Sequence, residues 1–402
     1  MALVVQKFGG TSVGDSDRIR TVADHVARTV KRGDSVVVVV SAMGKSTDDL
    51  IRLAHDVSSV QPPRELDMLL TAGERISMSL LCMALAELGV EAESFTGSQA
   101  GIITDTEHTR AKILEIKPHR LLECLSRGAV PVVAGFQGVS TDANVTTLGR
   151  GGSDTTAVAL AAALGAKSCE IYTDVSGVFT ADPRVVASAH KIPSISFEEM
   201  LELSASGGRV LALRSVEVAR NYGVPVHVRS SFTWEPGTWV VEEDPEMEQA
   251  VVSAISHDAS EVKLTLTRVP DHPGVAARIF RAVADCGVNV DMIVQNTSLD
   301  GFTDISFTAP KVDLPRAREV TETVAREVGA GTVSVDTEIG RVSLVGAGMK
   351  THPGVTATMF ETLAKLDVNI EMISTSAIRI SCVIRADLLE LAVQALHEAF
   401  GL

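Results

Sequence analysis

Short apolar runs alternate with amphipathic stretches along the first half of the chain. Four short runs are apolar nearly throughout, which predicts buried strands: residues 3–5, 35–40, 130–134 and 169–172. Three longer stretches have apolar positions at helical spacing: residues 17–31, 65–88 and 154–164. Buried strands that alternate with helices are typical of a doubly wound α/β fold, so we expect a mainly parallel sheet.

Each predicted strand is followed by a loop of small and polar residues. These loops cover residues 7–12, 41–44, 135–138 and 173–177. Ligands of open α/β sheets bind outside the carboxyl ends of the strands. We therefore expect the four loops to converge on one binding site.

The second half of the chain contains an internal repeat. The motif His-Pro-Gly-Val at residues 272–275 recurs at 352–355, and the segment 288–293 recurs at 368–373, each time 80 residues later. Between the two motifs of each copy, apolar positions follow helical spacing. The alternative is a chance duplication, but spacing and residue type agree over the whole unit. The repeat predicts two ferredoxin-like βαββαβ modules.

The boundary between the two halves is expected where the composition changes. Turn residues at 234–238 are followed by an acidic cluster at 242–244. We therefore predict a first domain over residues 1–245 and two modules over residues 246–340 and 341–402. Part of the segment 246–262 is able to pair into the second module.

Composition and charge restrict the partners and the compartment. The formal charge of −15 argues against nucleic acid or an anionic membrane as the main partner, because both favour clustered Lys and Arg. The five cysteines are scattered and never fall at Cys-x-x-Cys spacing, so neither a zinc site nor a disulfide framework is indicated. The N-terminal stretch lacks the features of a signal peptide. A cytoplasmic protein is expected.

A glycine-rich segment at residues 146–156 is the strongest candidate for a ligand site. It contains three glycines and Arg150 immediately before an alanine-rich helical run. Bare glycine backbone and the positive N-terminal end of a helix both favour anions, so the segment predicts a site for phosphate, carboxylate or both. The alternative is an ordinary helix capped by Ser153 or Asp154 after a flexible turn.

Further candidates lie in the other loops. Lys7 ends the first predicted strand, and the glycines that follow leave bare backbone N–H groups beside its ammonium, an arrangement that can face a phosphate chain. A solvated surface lysine is the alternative. Glu74 can bind a substrate amine or simply oppose a helix dipole. Asp174 and Asp182 are candidates for nucleotide or metal contacts, with turn formation as the alternative for Asp182.

Six segments of the chain together resemble the aspartate kinases of the amino-acid kinase family, in which a kinase domain is followed by two ACT modules. The matching segments are residues 7–13, 41–44 with 47–48, 72–75, 135–138, 146–157 and 173–184. The resemblance is greatest to monofunctional enzymes of actinobacterial type. It implies ATP-dependent phosphorylation of the β-carboxylate of L-aspartate, the first step toward lysine, threonine, methionine and diaminopimelate.

The resemblance also implies roles for individual residues. The implied catalytic residues are Lys7, Arg150 and Asp154. The implied substrate-binding residues are Thr47, Glu74, Arg150, Gly151, Gly152, Ser153 and Asp154. The implied contacts to ATP are Lys7, Phe8, Gly9, Gly10, Ser41, Ser153, Thr173, Asp174, Phe179, Asp182, Arg184 and Arg209. The metal is expected to be Mg²⁺, held mainly by phosphates and water rather than by protein ligands.

Three positions depart from the family pattern. Phe179 stands where the family commonly has tyrosine, so a hydroxyl contact to nucleotide is lost. Arg209 replaces the usual lysine, which keeps the charge and changes the donor geometry. Lys45 occupies a position that is usually small or acidic.

The paired ACT modules imply feedback control by lysine, threonine or both. The implied effector contacts are Asn289, Asp291, Gln295, Thr351, His352, Pro353, Gly354, Val355, Asn369, Ile370, Thr375 and Ser376. Asp291 and Glu371 offer carboxylates for an ammonium, with solvated strand ends as the alternative. Met247 is a candidate internal start, so the assembly is expected to be a homodimer or an α₂β₂ complex through the ACT modules.

Two other functions fit parts of this pattern. One is a different amino-acid kinase, such as a glutamate or acetylglutamate kinase, which the twin modules disfavour. The other is an inactive amino-acid sensor that uses only its ACT modules. The presence of Lys7, Glu74, Arg150 and Asp154 disfavours the sensor, because a sensor has no use for them.

Overall fold

The computed structural model describes residues 2–208, 210–233, 235–242, 251–296 and 300–402, with only the backbone of Lys350. The predicted nucleotide contact Arg209 and the candidate start Met247 therefore lie outside the described residues, as does the predicted boundary at 245/246. The chain forms two compact units. The first unit comprises Met1–Phe179, Lys191–Ala205 and Arg209–Met247, and the second comprises Thr180–His190, Ser206–Gly208 and Glu248–Leu402.

The first unit is built on a twisted α/β sheet. Its strands are β1 (Leu3–Phe8), β2 (Ser35–Val40), β3 (Ala92–Phe95), β4 (Ile102–Thr104), β5 (Ile113–Ile116), β6 (Val130–Ala134), β7 (Gln137–Ser140), β8 (Val145–Thr147), β9 (Ser168–Thr173), β10 (Ser194–Ser196), β11 (Val226–Ser230) and β12 (Thr238–Val241). Its helices are α1 (Ser16–Lys31), α2 (Ser46–Val57), α3 (Pro63–Leu70), α4 (Ala72–Glu87), α5 (His119–Ser126), α6 (Gly152–Ala163), α7 (Phe197–Ala205) and α8 (Leu213–Tyr222).

Eight of these strands form one sheet in the order β10-β12-β11-β9-β1-β2-β6-β3. Neighbouring strands are parallel except β11 and β12, and the central strand β2 has five consecutive buried valines. β-Branched residues fit a sheet that is covered on both faces, which explains the continuous apolar run. The second sheet of this unit has the order β5-β4-β7-β8.

The fold predicted for this half is confirmed. The four predicted strands correspond to β1, β2, β6 and β9. The stretch predicted to be helical over residues 65–88 is helical in two parts, because α3 ends and α4 begins on either side of Thr71. The Thr71 carbonyl instead accepts a hydrogen bond from the Gln137 side-chain amide at 3.2 Å.

The second unit contains two four-stranded antiparallel sheets with helices. Its strands are β13 (Ala254–Asp258), β14 (Glu261–Pro270), β15 (Ile293–Gln295), β16 (Phe302–Pro310), β17 (Val333–Asp336), β18 (Ile339–Val345), β19 (Met372–Thr375) and β20 (Arg379–Arg385). Its helices are α9 (Val275–Asp285), α10 (Leu314–Val328), α11 (Gly354–Lys365) and α12 (Leu389–Ala399). The sheet orders are β15-β16-β14-β17 and β13-β18-β20-β19.

The two predicted ferredoxin-like modules are present, and their connectivity differs. The first runs β14-α9-β15-β16-α10-β17, a complete βαββαβ module. The second sheet takes its edge strand β13 from the chain before the first module, and β13 pairs antiparallel with β18. The first module is therefore inserted between two strands of the second.

The segment Thr180–His190 also belongs to the second unit. The Thr180 carbonyl accepts a hydrogen bond from the Ile255 N–H at 2.7 Å, and the Thr180 hydroxyl lies 2.9 Å from Nε2 of His397 on α12. The Gln394 amide donates to the Val185 carbonyl at 2.8 Å. Residues predicted to bind nucleotide, Asp182 and Arg184, thus lie on a segment packed against α12.

One helical segment of the described chain, Pro63–Glu87, is apolar and long enough to cross a membrane by length and composition alone. It is interrupted at Thr71, and 44% of its most apolar window is buried inside the protein. Core helices of folded domains pass the same test, so this segment is weak evidence for membrane insertion.

Candidate active site

The loops at the carboxyl ends of the central strands are in contact. The Gly9 N–H donates to the Tyr172 carbonyl at 3.1 Å, joining the loop after β1 to the end of β9. The Gly44 N–H donates to the Gly10 carbonyl at 3.0 Å, joining the loops after β1 and β2. A Cβ on Gly10 would lie 2.9 Å from the Ala42 carbonyl oxygen, so only glycine allows this approach. The predicted convergence is therefore observed for the loops after β1 and β2 and for the end of β9.

A buried ion pair lies at this edge of the sheet. Lys7, near the end of β1, places Nζ 2.6 Å from Oδ1 of Asp154 in the first turn of α6. The two side chains are only 10% and 13% exposed. A Cβ on Gly9 would lie 3.4 Å from Nζ, so the missing side chain leaves the ammonium open toward the Gly9 backbone. The arrangement is a cation in a glycine-lined recess, which suits a phosphoryl group.

The glycine-rich segment leads into α6 through two left-handed residues, Gly149 and Gly151, with φ of 78° and 71°. A Cβ on Gly151 would lie 2.2 Å from the Ala212 Cβ, so glycine is required for close packing as well as conformation. The helix begins at Gly152 without a side-chain cap, so the alternative of a Ser153 or Asp154 cap is wrong. Both residues lie in the first turn.

Glu74 is buried at the start of α4, beside the loop after β2. Its Oε1 accepts a hydrogen bond from the Ala42 N–H at 3.2 Å, and Oε2 has no hydrogen-bond partner among the described residues. Burial raises the pKa of Glu74 to about 7, against the weaker opposing effect of the backbone hydrogen bonds. A cation placed at Oε2 would favour the ionised form, so the site suits an ammonium.

The other predicted residues of the first unit have differing surroundings. Arg150 is exposed, and its guanidinium makes no hydrogen bond or ion pair within the described residues. Ser153 is buried, whereas Thr47 and Ser41 are partly buried at the start of α2 and after β2. Phe8 is 1% exposed and stacks on the Tyr172 ring, so its side chain belongs to the core and only its backbone can face a ligand.

The predicted nucleotide contacts after β9 are divided between the units. The Thr173 hydroxyl donates to the exposed Asp174 carboxylate at 3.1 Å. The backbone of Phe179 forms an isolated antiparallel β-bridge with that of Lys191. Asp182 and Arg184 lie in the second unit and pair with each other through Nη2 and Oδ2 at 2.6 Å. This hydrogen bonding to Arg184 lowers the pKa of Asp182.

A buried polar network that was not predicted from the sequence joins side chains of α1, β1 and β9. Nε2 of His25 is 2.7 Å from the Tyr172 hydroxyl, which donates to Glu170 at 2.9 Å. Gln6 donates to the same Glu170 oxygen at 2.8 Å. Burial, with a smaller effect of Arg229, lowers the pKa of His25 to about 4. His25 lies on an amphipathic helix between Asp24 and Arg28, so the local sequence resembles an ordinary charged helix face and does not indicate a buried histidine.

A cavity of about 360 Å³ lies in the first module of the second unit. It is lined by residues 271–276, which form the loop before α9 and the first two residues of that helix, together with Val269, Pro270, Gln295, Thr303 and Ile305. Of the predicted effector residues, Gln295 lines it. Residues 271–276 were not predicted, although the 80-residue offset relates residues 271–275 to the predicted segment 351–355. The repeat therefore contained the missing signal.

The carboxylates of Asp291 and Glu371 are not simply solvated, since each forms an ion pair with the other module. Asp291 of the first module pairs with Arg341 on β18, and Glu371 of the second pairs with Lys263 on β14. Arg341 is 2% exposed and also lies 3.1 Å from Glu261.

The remaining predicted effector residues lie in the loops and strand ends of the two modules. The exposed ones are Asn289, Thr351, His352, Pro353, Gly354, Asn369, Thr375 and Ser376, and Ile370 is partly buried. Val355 is buried in the core of the second module, so its side chain is not available to a ligand.

Comparison with known families is consistent with this architecture. Residues 2–230 match the amino acid kinase family, and residues 264–329 and 342–400 each match an ACT domain. The first unit and the two modules thus define an amino acid kinase with paired ACT domains.

Similarity to individual proteins extends over the whole chain. It is 58% identical to an aspartokinase from Mycolicibacterium smegmatis, covering 100% of this chain and 97% of that protein. Escherichia coli aspartokinase III in complex with aspartate and ADP, in the R-state, matches with a TM-score of 0.85 at 27% identity over 99% of both chains. The same enzyme with lysine and aspartate, in the T-state, matches with a TM-score of 0.76 at 28% identity over 99% of both chains. The chain belongs to the aspartokinase family, which confirms the family expected from the sequence.

Proposed function

We propose that the site at the carboxyl edge of the first sheet transfers the γ-phosphate of ATP to the β-carboxylate of L-aspartate. A β-carboxylate oxygen attacks the γ-phosphorus, the bond from that phosphorus to the β,γ-bridging oxygen breaks, and ADP leaves with the electron pair. The products are 4-phospho-L-aspartate and ADP. The observation that carries the proposal is the Lys7–Asp154 pair beside the bare Gly9 backbone.

This chemistry needs positioning and charge neutralisation rather than a strong base. The acceptor carboxylate is already ionised at neutral pH. Lys7 and the Gly10 N–H are proposed to stabilise the negative charge on the transferring phosphoryl, and Asp154 to hold the Lys7 ammonium in place. The Gly9 N–H already donates to the Tyr172 carbonyl, so Gly9 contributes only the space that its missing side chain leaves. Mg²⁺ would be held mainly by phosphate oxygens and water, and would neutralise charge on the phosphates.

The substrate amino acid is proposed to be held at its two charged ends. The free Oε2 of Glu74 would accept from the α-ammonium, and the exposed Arg150 guanidinium would bind the α-carboxylate through two hydrogen bonds. Thr47, Ser153 and the backbone of Gly151 and Gly152 are proposed to orient the side chain of the acceptor.

The adenosine and outer phosphates are proposed to contact the ends of β1, β2 and β9. The proposed residues are Phe8, Ser41, Ser153, Thr173, Asp174 and Phe179, with Asp182, Arg184 and Arg209 from the resemblance alone. Phe179 contributes ring contact without a hydroxyl. Phe8 can act through its backbone at the end of β1, and Ser41 and Ser153 through their hydroxyls after β2 and in the first turn of α6.

Substrate choice separates this function from its alternatives. ADP release should require L-aspartate and should not occur with L-glutamate or N-acetylglutamate. Turnover with either of the latter would instead support another amino-acid kinase. Binding of an amino acid without turnover of any acceptor would support the sensor function. Aspartokinase relatives over the full chain favour the first outcome.

Feedback control is proposed to act through the second unit. E. coli aspartokinase III, whose structure is similar to that of this chain, has been solved in its T-state with lysine and aspartate. In this chain, the cavity beside Gln295 offers polar side chains for an amino acid. We propose lysine, threonine or both as effectors. Inhibition assays with each amino acid, singly and combined, test this, and a Gln295→Ala variant should weaken inhibition while leaving uninhibited turnover unchanged.

The proposed assembly is a homodimer or an α₂β₂ complex joined through ACT modules, in the cytoplasm. The α₂β₂ form requires a second polypeptide that begins near Met247. Intact mass and light scattering on protein expressed from the native gene decide between the two. A single full-length species would eliminate the α₂β₂ form.

A further inference from the structure

Asp67 is a fully buried carboxylate on α3 that none of the proposed catalytic roles uses. Its Oδ1 accepts from the Thr147 hydroxyl at 2.6 Å, and the Thr109 N–H lies 3.1 Å from each carboxylate oxygen. Nδ1 of His108 lies 2.6 Å from Oδ2, so a ring N–H on Nδ1 is the third hydrogen-bond donor to this carboxylate. A buried polar group without hydrogen-bond partners is costly, and three donors hold this carboxylate in one position.

These donors belong to two segments that meet at the glycine-rich loop. Thr147 ends β8, three residues before Arg150. Thr109 has a φ of 67°, which is uncommon for threonine, and its carbonyl oxygen would lie 3.1 Å from a Cβ on Gly149. The two segments are also joined directly, since the Ala111 N–H donates to the Thr147 carbonyl at 2.9 Å. Asp67 therefore fixes the backbone that precedes Gly149 and the neighbouring segment that packs against Gly149.

Arg214 on α8 holds the same backbone from another element. Its Nη1 donates to the Leu148 carbonyl at 2.7 Å and its Nη2 to the Ala111 carbonyl at 3.0 Å. The chain immediately before Arg150 is thus held by a buried carboxylate on one helix and by a guanidinium on another. Arg150 itself is exposed and depends on this backbone for its position.

We propose that Asp67 is a positioning residue for the acceptor amino acid: through Thr147 and Thr109 it sets the backbone from which Arg150 reaches the substrate α-carboxylate. The inference rests on the proposed role of Arg150. Bidentate recognition of a carboxylate is sensitive to displacement, and a 1 Å error can cost about 100-fold in rate. Loss of the Asp67 carboxylate should therefore raise the KM for L-aspartate far more than the KM for ATP.

The test compares Michaelis constants for the two substrates in the full chain. Asp67→Asn preserves shape but replaces one acceptor oxygen with an amide that cannot accept a hydrogen bond. We expect KM for L-aspartate to rise about tenfold or more, with KM for MgATP within about twofold of the parent value. Asp56→Asn, an exposed aspartate on the neighbouring helix α2, is the matched control and should change neither constant.

Thr147 gives a second, milder test if Asp67→Asn folds poorly. Thr147→Val removes the hydroxyl that donates to Asp67 and should raise KM for L-aspartate about threefold or more, whereas Thr147→Ser keeps the hydroxyl and should restore the parent value. Equal changes in both Michaelis constants, or a lowered melting temperature with unchanged kinetics, would show that Asp67 is only structural.

A double-mutant cycle separates this inference from the proposed role of Arg150. If Arg150→Ala leaves KM for L-aspartate unchanged, the proposed role of Arg150 fails. If Arg150→Ala raises it but Asp67→Asn does not, only the role of Asp67 fails. If both hold, Asp67→Asn should raise KM for L-aspartate much less in the Arg150→Ala background than in the parent, because the two residues act on the same contact.

Discussion

Lys7 and Asp154 are 147 residues apart in the chain, and their side chains meet as a buried ion pair with Nζ 2.6 Å from Oδ1. Lys7 lies near the carboxyl end of a central strand, and Asp154 lies in the first turn of the helix that follows the glycine-rich segment. The pair therefore links the proposed phosphate recess to the proposed acceptor site. Removing either member leaves the other charge buried without its partner.

Lys7→Ala should lower kcat about 100-fold or more. Removal of one preorganised donor to developing charge costs several kcal/mol of transition-state stabilisation, and here the donor carries a full charge. Steady-state ADP release with saturating L-aspartate and MgATP measures the effect. Lys31→Ala, an exposed lysine in the last turn of α1, is the matched control. Near-parental turnover in Lys7→Ala would remove Lys7 from the mechanism.

The pKa of Glu74 predicts a pH dependence of aspartate binding. Burial raises the pKa of this carboxyl to about 7, so free enzyme below that pH carries a largely neutral Glu74. Only the ionised form attracts an ammonium. The value of kcat/KM for L-aspartate should therefore rise about tenfold per pH unit below 7 and level off above it.

Glu74→Gln tests the assignment of that pH profile. The amide cannot ionise, so kcat/KM for L-aspartate should fall and its rise near pH 7 should disappear. Glu87→Gln, an exposed glutamate at the other end of α4, should retain the parental profile. A break near pH 7 that persists in Glu74→Gln would assign the titration to another group.

The parts of the fold that repeat a local pattern could be predicted from the sequence. The valine run of β2 is apolar on both faces because the sheet is covered on both faces, and the 80-residue repeat marks two equivalent modules. The break at Thr71 could not be placed from the sequence, since the nearest local signal is Gly73 and a single glycine is tolerated within a helical pattern. It coincides with a hydrogen bond from Gln137, which is 66 residues away.

Residues of the candidate site could be proposed from the sequence where a local motif contains them, and not where a partner that is distant in the sequence determines their surroundings. Lys7 and Glu74 lie beside glycines at strand or helix ends, which are local signals. Asp67 lies on α3 close to Arg64 and Glu65, and Arg341 lies on a strand with no other charged residue. Neither pattern distinguishes a buried charge from an exposed one in the sequence. Their burial depends on donors and carboxylates brought together only by the tertiary fold.

We expect the buried His25 to make the first unit less stable toward unfolding at acid pH. Burial holds the pKa of His25 at about 4, below its ordinary value of 6.5, so between these pH values the unfolded chain binds more protons than the folded one. The contribution of the neutral His25 to the free energy of unfolding should be complete above pH 6.5. The free energy of unfolding should fall by up to about 3 kcal/mol as the pH drops toward 4. Unfolding in urea at pH 5 and pH 7, followed by tryptophan fluorescence, measures this, because Trp239 lies on β12.

His25→Gln keeps a polar group near the Tyr172 hydroxyl and removes the titration. It should reduce the pH dependence of unfolding without abolishing it, because burial also lowers the pKa of His227 to about 4. His119→Gln, an exposed histidine on α5, should leave the dependence unchanged. An unchanged slope in His25→Gln would assign the acid sensitivity to other groups.

Arg341 is expected to be a main determinant of stability in the second unit. It lies on β18, is 2% exposed, and neutralises Asp291, Glu261 and, at 3.9 Å, Asp258. Arg341→Met keeps the bulk of the side chain but leaves these carboxylates without their cation. Breaking a buried pair in this way costs about 3–5 kcal/mol, so calorimetry should show a lower melting temperature for this unit.

The destabilisation should depend on the carboxylates that Arg341 neutralises. Asp291→Asn should therefore cost less in the Arg341→Met background than in the parent, because the charge it removes is already without a partner. Arg385→Met, whose half-exposed guanidinium pairs with Asp336, should change stability by no more than about 0.5 kcal/mol. If Arg341→Met and Arg385→Met lowered the melting temperature equally, the central role of Arg341 would be wrong, since Arg341 is buried among three carboxylates whereas Arg385 is half-exposed and pairs with Asp336.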